Sequence, residues 1–583
     1  MTPLTRFGKK LDYQRILPEY PRPMLVRDNW LNLNGPWEYQ ITDPNDEPAI
    51  KSGWKKILVP FALGSLLSGS NEQLQPDQLL FCRRTFTYPV DAQRRTMLNF
   101  EAVDQECDVY LNGLNVGHHE GGYAPFSLDI SNAVKEDNEL LVKIKDASDR
   151  GIYAYGKQTL KHGGMWYTPS SGIYGTVWIE SLPEYAIEDL KITPDPEHCS
   201  VYLRFGGRMT QTVITVFAGK KLVHRGITNE KDYTITLSED NLHLWSPTDP
   251  FLYRLYLQTE DETVRSYFAM RSFSSLPDNS GHQRFALNGK PLFLSGLLDQ
   301  GYTMDGLLTY PSQEAMEYEL KKIKAMGFNM IRKHVKVENR RWYALCDKLG
   351  ILVMQDMPNG GGPYNFKRVG LWPTLGKRKL SDGEESYTLN GRASPASREM
   401  YMQELSAMLD TLYNYPCIFA WVPFNEGWGQ FDSKAVTEKI KAYDNTRLVD
   451  SASGWFDQGA GDFLSIHDYF FPLHIPASDG RIILLSEFGG YTYVEFGHSF
   501  PSRPYGYKKF KDKLQMNDAI FRLYERMVYE NIPKGLSGCI YTQVADVEDE
   551  CNGLFTADRE IVKIDEKRMR RMNEKCIRRI RNR

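Results

Sequence analysis

The chain has little cysteine chemistry. Among 583 residues there are 8 cysteines, and none forms a C-x-x-C pair or stands at zinc-ligand spacing with histidine. Neither a disulfide framework nor a cysteine-based zinc site is expected, and free thiols point to a cytoplasmic protein. No run of about 18 apolar residues occurs, so no segment is expected to span a membrane. Residues 1–23 (MTPLTRFGKKLDYQRILPEYPRP) carry charges and prolines where a secretion signal needs an apolar stretch. An excess of one charge is missing too: 71 Lys and Arg face 74 Asp and Glu, a net charge of −3. That balance gives no electrostatic case for nucleic acid or an anionic membrane as partner. Aromatic residues are plentiful, with 34 Tyr, 28 Phe and 11 Trp. Such a surplus suits a site that stacks on the apolar faces of sugars, although β-rich architecture uses these residues as well.

The length exceeds the ~100–200 residues of one domain several times over. Up to about residue 183 the chain reads as short β-segments (ILVPF, RTFTYP, MLNFEAV, CDVYLNG, FSLDI, ELLVKIKD, TVWIES) between Gly, Pro, Asn and Asp turns, the pattern of a sandwich or jelly roll, of which the jelly roll is the expectation. Asn112-Gly113 predicts a tight hairpin turn. A second β-rich block, 184–276, has the size of an immunoglobulin-like sandwich. From 277 to 583 short apolar runs alternate with helical patterns: PLFLSG, NMIRKHV, ILVMQDMP, IFAWVPFNE, RLVDSASG, FLSIHDYF, IILLSEFGG and LSGCIYTQV. Eight such runs predict a (β/α)8 TIM barrel. The basic tail spaces Met569, Met572, Cys576 and Ile580 helically, which predicts a last barrel helix rather than a nucleic-acid arm.

A barrel keeps its active site at the C-terminal ends of its strands. Those ends supply Arg332 and His334, Asp356, Asn425 and Glu426, His467 and Tyr469, Glu487, and Tyr541 and Gln543. Glu426 and Glu487 end strands four and seven, on opposite sides of the barrel mouth. Two facing carboxylates are what glycosidic cleavage requires, one as acid at the leaving oxygen and one ionised at the anomeric carbon. Taken singly, a strand-end Glu, Arg332, His334 or His467 is as readily structural, and the clustering of polar residues after apolar strands is what favours a site.

The string WVPFNEGWGQFD resembles the acid/base motif of glycoside hydrolase family 2, the β-galactosidase, β-glucuronidase and β-mannosidase group, and LLSEFGG resembles its nucleophile motif. DNWLNLNGPWEY, GGMWYTPSSGIYGTVWIE, LWSPTDPFLYRL, NGKPLFLSG and GFNMIRKHVKVENRRWYALCDKLGILVMQDMP extend the likeness over nearly the whole chain. The resemblance implies a retaining, exo-acting β-glycosidase with Glu426 as acid/base and Glu487 as nucleophile. It also implies that Asn425 bonds the sugar 2-hydroxyl and Tyr469 holds Glu487. Arg332, His334, Asp356 and His467 would line the glycone pocket, with Trp428 and Trp455 stacking on sugar. No cofactor is implied. The expected partner is an oligosaccharide or glycoside, with a homo-oligomer possible. The rival reading is a non-catalytic carbohydrate-binding protein on the same scaffold.

Two departures bear on the sugar. The Asn-x-Lys motif with which β-glucuronidases bind the sugar carboxylate is replaced by Glu550-Cys551-Asn552, where an acid would repel a uronate. Gly164 precedes Met165-Trp166 where the best-known β-galactosidases carry an Asp. Neutral sugars are therefore expected. A β-galactoside leads by family frequency, with pentosides, galactofuranosides and mannosides behind it. The insertion 357–397 exceeds normal loop length, and Tyr364, Phe366 and Trp372 suit a pocket rim.

Overall fold

The computed structural model describes residues 4–46, 48, 52–365, 367–376 and 380–581. Two antiparallel sheets form the first β-unit. One has four strands in the order Trp30–Asn32, Val177–Leu182, Arg95–Phe100, Phe126–Asp129. The other has six, in the order Lys55–Val59, Gly35–Thr42, Leu79–Thr87, Asp137–Lys145, Glu106–Leu111, Leu114–Glu120. Alternation explains the packing: in Asp137–Lys145 the buried residues are Asn138, Leu140, Val142 and Ile144, every second position. The predicted hairpin turn is present, with φ of +52° at Asn112 and +81° at Gly113.

The second β-unit packs a three-stranded sheet (Ile187–Asp195, Ser200–Gly207, Asp232–Thr236) against a four-stranded one ordered Lys221–Thr228, Thr212–Ala218, Tyr253–Gln258, Thr263–Phe268. Its apolar residues, Val201, Leu203 and Leu255 among them, belong to the same buried cluster as the barrel core, whereas the first unit has a core of its own. A small sheet spanning Phe273–Pro277, Gln283–Leu287 and Lys290–Pro291 joins this unit to the barrel floor, where Arg284 donates to the carbonyls of Leu536 and Ile532 at 2.7 and 2.8 Å.

The barrel is an eight-stranded, near-closed parallel sheet. Its strands in chain order are Leu294–Asp299, Met330–Lys333, Leu352–Asp356, Ile418–Val422, Leu448–Val449, Phe463–Asp468, Ile482–Gly489 and Leu536–Thr542. Seven lie within one of the eight apolar runs each, and the first, Leu294–Asp299, begins in PLFLSG and continues three residues beyond it. The final helix, Glu566–Arg581, buries Met569, Cys576 and Ile580, with Met572 half-buried beside them. Asn573 on the same helix accepts from Ser295 Oγ at 2.7 Å and donates to the Met326 carbonyl at 2.9 Å, fastening the chain end to the first strand. No helix among the described residues is long and apolar enough to cross a membrane.

Candidate active site

Strand four is buried throughout and leads through Pro423 and Phe424 to Asn425 and Glu426. Glu426 has φ +51°, a left-handed conformation that a glutamate seldom adopts and that is typically tolerated where function fixes the backbone. Gly427 follows with φ +74°, and a Cβ there would stand 2.1 Å from the Phe456 ring. Glu426 N–H donates to the Ser453 carbonyl at 3.0 Å, which fixes the turn against the loop after strand five. Across the mouth, strand seven carries Glu487 within an unbroken buried run.

Arg332 joins the cluster together. Its Nε donates to Asp356 Oδ1 at 2.9 Å, its Nη2 to Asn425 Oδ1 at 2.8 Å and its Nη1 to Glu487 Oε1 at 3.2 Å. Burial works against its charge, but Asp356 and Glu487 outweigh that and raise its pKa. Glu487 Oε2 accepts from the Tyr469 hydroxyl at 2.5 Å. Burial and the Glu487 charge both push the Tyr469 pKa up, so the phenol keeps the proton it donates.

His467 stands between the two carboxylates. Its Nδ1 is 2.8 Å from Glu426 Oε1, and its Nε2 is 3.3 Å from Arg332 Nη1 and 3.6 Å from Glu487 Oε1. A guanidinium only donates, so Nε2 accepts and the ring proton sits on Nδ1, directed at Glu426 Oε1. A proton carried by Glu426 as an acid then belongs on Oε2. Gly454 makes room for this ring: with φ +93°, a Cβ there would lie 2.6 Å from His467 Nδ1. His334 Nδ1 meets Asp356 Oδ2 at 2.9 Å, and burial, then Lys157, drives its pKa well below the ordinary value, so it is a neutral donor to that carboxylate.

These residues open on a cleft of about 760 Å³ lined by Glu426, Trp428, Trp455, His467 and Tyr469. Trp455 Nε1 also donates to the Glu426 carbonyl at 2.8 Å. Arg332, His334 and Asp356 are fully buried in the same cluster, and Asp356 spends both oxygens on Arg332 and His334, so its part is to hold those two side chains in place. Tyr541 and Gln543 are also buried beneath the site, Gln543 between Gln300 and Asn552 at 2.6 and 2.8 Å.

Other segments complete the cleft. The insertion contributes Tyr364, Val369 and Leu371; Trp372 begins a short helix next to Leu371, and Phe366 lies outside the described residues. Arg392, from the same insertion, donates to the Gly429 carbonyl at 2.9 Å and so clamps the loop after Glu426. Sequence reasoning missed Arg392, together with Tyr505 and Tyr507, which come from the long stretch between strands seven and eight and carry no periodicity. Tyr507 stacks on Tyr469 with centroids 3.7 Å apart. The first β-unit supplies Trp166, 5.2 Å from Trp428, and Lys157, whose Nζ lies 5.8 Å from the Trp428 ring centre. Glu550 is not an isolated charge: it accepts from the Tyr167 hydroxyl and stands 3.9 Å from Lys157.

Glu426, His467 and Glu487 each offer a ligand atom within 4.8 Å of the others, near enough to share a cation. The Arg332 guanidinium already meets Glu487 and His467, and a fixed positive charge there disfavours a divalent ion. Glu106, His118 and Glu120 form another such group at the edge of the six-stranded sheet, where His118 is held by Asp108 at 2.8 Å.

Residues 281–471 match the family described as "Glycosyl hydrolases family 2, TIM barrel domain", and residues 70–171 match "Glycosyl hydrolase 2 galactose-binding domain-like". The chain belongs to glycoside hydrolase family 2. Within this family the chain is 23% identical over 518 residues to a β-galactosidase of Thermoanaerobacter pseudethanolicus, covering 82% of this chain and 62% of that one. A β-galactosidase of Halalkalibacterium halodurans is 25% identical over 372 residues, 60% of this chain and 34% of that one. The family 2 chain thus spans less than two thirds of these relatives. In fold it is similar to a β-D-glucuronidase from Dictyoglomus thermophilum, with a TM-score of 0.72 at 18% identity, over 95% of this chain and 98% of the other. A family 2 β-galacturonidase from Eisenbergiella tayi bound to galacturonate gives a TM-score of 0.69 at 18% identity, over 95% and 99%.

Proposed function

We propose that this protein hydrolyses terminal neutral β-glycosides with retention of configuration, Glu426 acting as acid/base and Glu487 as nucleophile. One observation carries the reading. Two buried carboxylates from opposite barrel strands bring oxygens within 4.8 Å of each other beside an aromatic cleft. Retaining enzymes hold their carboxyl groups at ~5–5.5 Å, and inverting ones at ~6.5–9.5 Å to admit a water between them. The surroundings of the two differ as their roles require. Glu487 receives a guanidinium on one oxygen and a phenol on the other, two charge-assisted hydrogen bonds that fix the carboxylate in place. Asn425 uses its carbonyl oxygen on Arg332 while its buried Nδ2 has no partner among the described residues, leaving a donor for the sugar 2-hydroxyl.

In this mechanism Glu487 attacks the anomeric carbon as Glu426 protonates the departing oxygen. Glu426 then takes a proton from water, which releases the sugar from the covalent intermediate. The curated relatives named above favour a β-galactoside as substrate.

A panel of aryl β-glycosides tests the reading. At least one neutral glycoside is expected to be cleaved far better than the glucuronide. Turnover of no member would revive the non-catalytic binding protein, and a glucuronide equal to the best neutral sugar would reverse the substrate class. Tyr469→Phe removes one charge-assisted hydrogen bond from Glu487, a contribution of about 1.5–3 kcal/mol. Turnover of the best aryl glycoside is expected to fall by about 10–100-fold under conditions where the variant remains fully folded. Unaltered turnover would remove Tyr469 from the mechanism.

A further inference from the structure

Lys157 is largely buried and has no hydrogen-bond partner for its Nζ among the described residues. Its side chain is 6% exposed, and among the described residues its Nζ reaches no acceptor; the Glu550 carboxylate stands off at 3.9 Å. The rings of Tyr167 and Trp428 lie 5.5 and 5.8 Å from Nζ and supply only their π-faces. A side chain so largely buried, whose donors meet no acceptor among the described residues, suits a group that arrives from outside. Glu550 is half satisfied in the same way. Its Oε2 accepts from Tyr167, while its Oε1 takes no hydrogen bond among the described residues.

This pair stands directly behind two walls of the cleft, Trp428 and Tyr505. Lys157 is near enough to His334 to depress that ring's pKa, and His334 Nδ1 is 4.0 Å from Glu487. Tyr505 and Tyr507 feel both Glu550 and Glu426. Trp428, beside the ammonium, and Tyr505, bridged to Glu550 through the backbone, are both walls of the cleft.

We infer that Lys157 and Glu550 together read two neighbouring hydroxyls of the glycone, the ammonium donating to one and the free carboxylate oxygen accepting from the next. The inference rests on the glycosidase reading for its substrate and deepens it. It assigns specificity to a contact between the first β-unit and the loop after strand eight. The charges of the pair cancel, so it binds a diol without attracting a uronate. A carboxylate placed on the sugar would meet Glu550 as well as Lys157.

Binding and turnover are measured separately to test this. Galactose, arabinose, glucuronic acid and galacturonic acid are titrated by calorimetry and saturation-transfer NMR into the full chain, Lys157→Met and Glu550→Gln, while aryl glycosides report hydrolysis. The wild type is expected to bind a neutral sugar above either uronic acid. Lys157→Met is expected to weaken the neutral sugar by about tenfold or more, the loss typical of a hydrogen bond from a charged group. Glu550→Gln leaves the ammonium uncompensated and is expected to move the uronate-to-neutral ratio toward the uronates by at least a similar factor. An unchanged ratio in both variants, even with lowered melting temperatures, would make the pair a structural tie and overturn the inference. So would tighter wild-type binding of a uronic acid, or binding of none of the four. Sugar binding that depends on Lys157 without any hydrolysis would uphold the pair and overturn the glycosidase reading instead.

Discussion

Glu487→Gly, supplied with azide and an activated aryl β-glycoside, is expected to yield the α-glycosyl azide. Loss of this side chain opens a space beside the anomeric carbon on the face opposite the leaving group. Arg332 and Tyr469, which hold the carboxylate at 3.2 and 2.5 Å, remain to line that space. Azide entering there displaces the leaving group once, with inversion. Glu426→Ala keeps the nucleophile, so the activated substrate still forms the glycosyl-enzyme. Azide then attacks that intermediate from the opposite face and gives the β-glycosyl azide. Either variant is expected to cleave unactivated glycosides ~10²–10⁴-fold more slowly, the range of a lost acid–base group. The anomeric proton coupling distinguishes the products. Identical anomers from both variants, or normal cleavage of an unactivated glycoside by Glu426→Ala, would remove this pair from the chemistry.

The barrel and its two carboxylates were legible because strand periodicity and strand ends are local properties. Each apolar run of six to nine residues held a parallel strand, and Glu426 and Glu487 fell at its mouth end. Local reading could not separate a residue that faces the cleft from one that faces the next strand. Asp356 ends strand three as Asn425 follows strand four, yet its carboxylate is consumed by Arg332 and His334. Contacts between distant segments were harder still. Lys157 approaches Glu550 across 393 positions of sequence, and nothing near either residue announces the other. Tyr505 and Tyr507 sit in a long irregular stretch whose position is set by packing on Tyr469 rather than by any pattern of its own. Glu550 illustrates the consequence: its charge was evident in the sequence, but the cation that offsets it was not.

Lys333→Met is expected to destabilise the barrel by about 3–5 kcal/mol, as removal of one member of a buried ion cluster does. The segment RKHVKVE alternates, turning Arg332 and His334 toward the site and Lys333 to the opposite side of the strand. There Lys333 Nζ donates to Asp299 Oδ2 at 2.6 Å and Glu338 Oε2 at 3.1 Å, and Lys336 Nζ donates to the same Glu338 oxygen at 2.7 Å. Burial alone would lower the Lys333 pKa, but Asp299 and Glu338 hold it up at about 12. For Asp299, burial raises the pKa and Lys333 more than reverses it, so the native value lies below the ordinary one. A carboxylate depressed in this way contributes stability above its unfolded pKa and loses that contribution as pH falls through the native value. Without Lys333 most of that depression is lost, and only the Gly301 N–H and the Lys336 charge are left to favour the ionised Asp299 against burial. The difference in melting temperature between wild type and Lys333→Met is therefore expected to be large at pH 7 and to shrink as the pH falls below about 4. Because Lys333 points away from the cleft, turnover per folded molecule should change far less than stability. A difference that stayed constant with pH, or a variant as stable as wild type at pH 7, would show that the cluster does not hold the second strand in place.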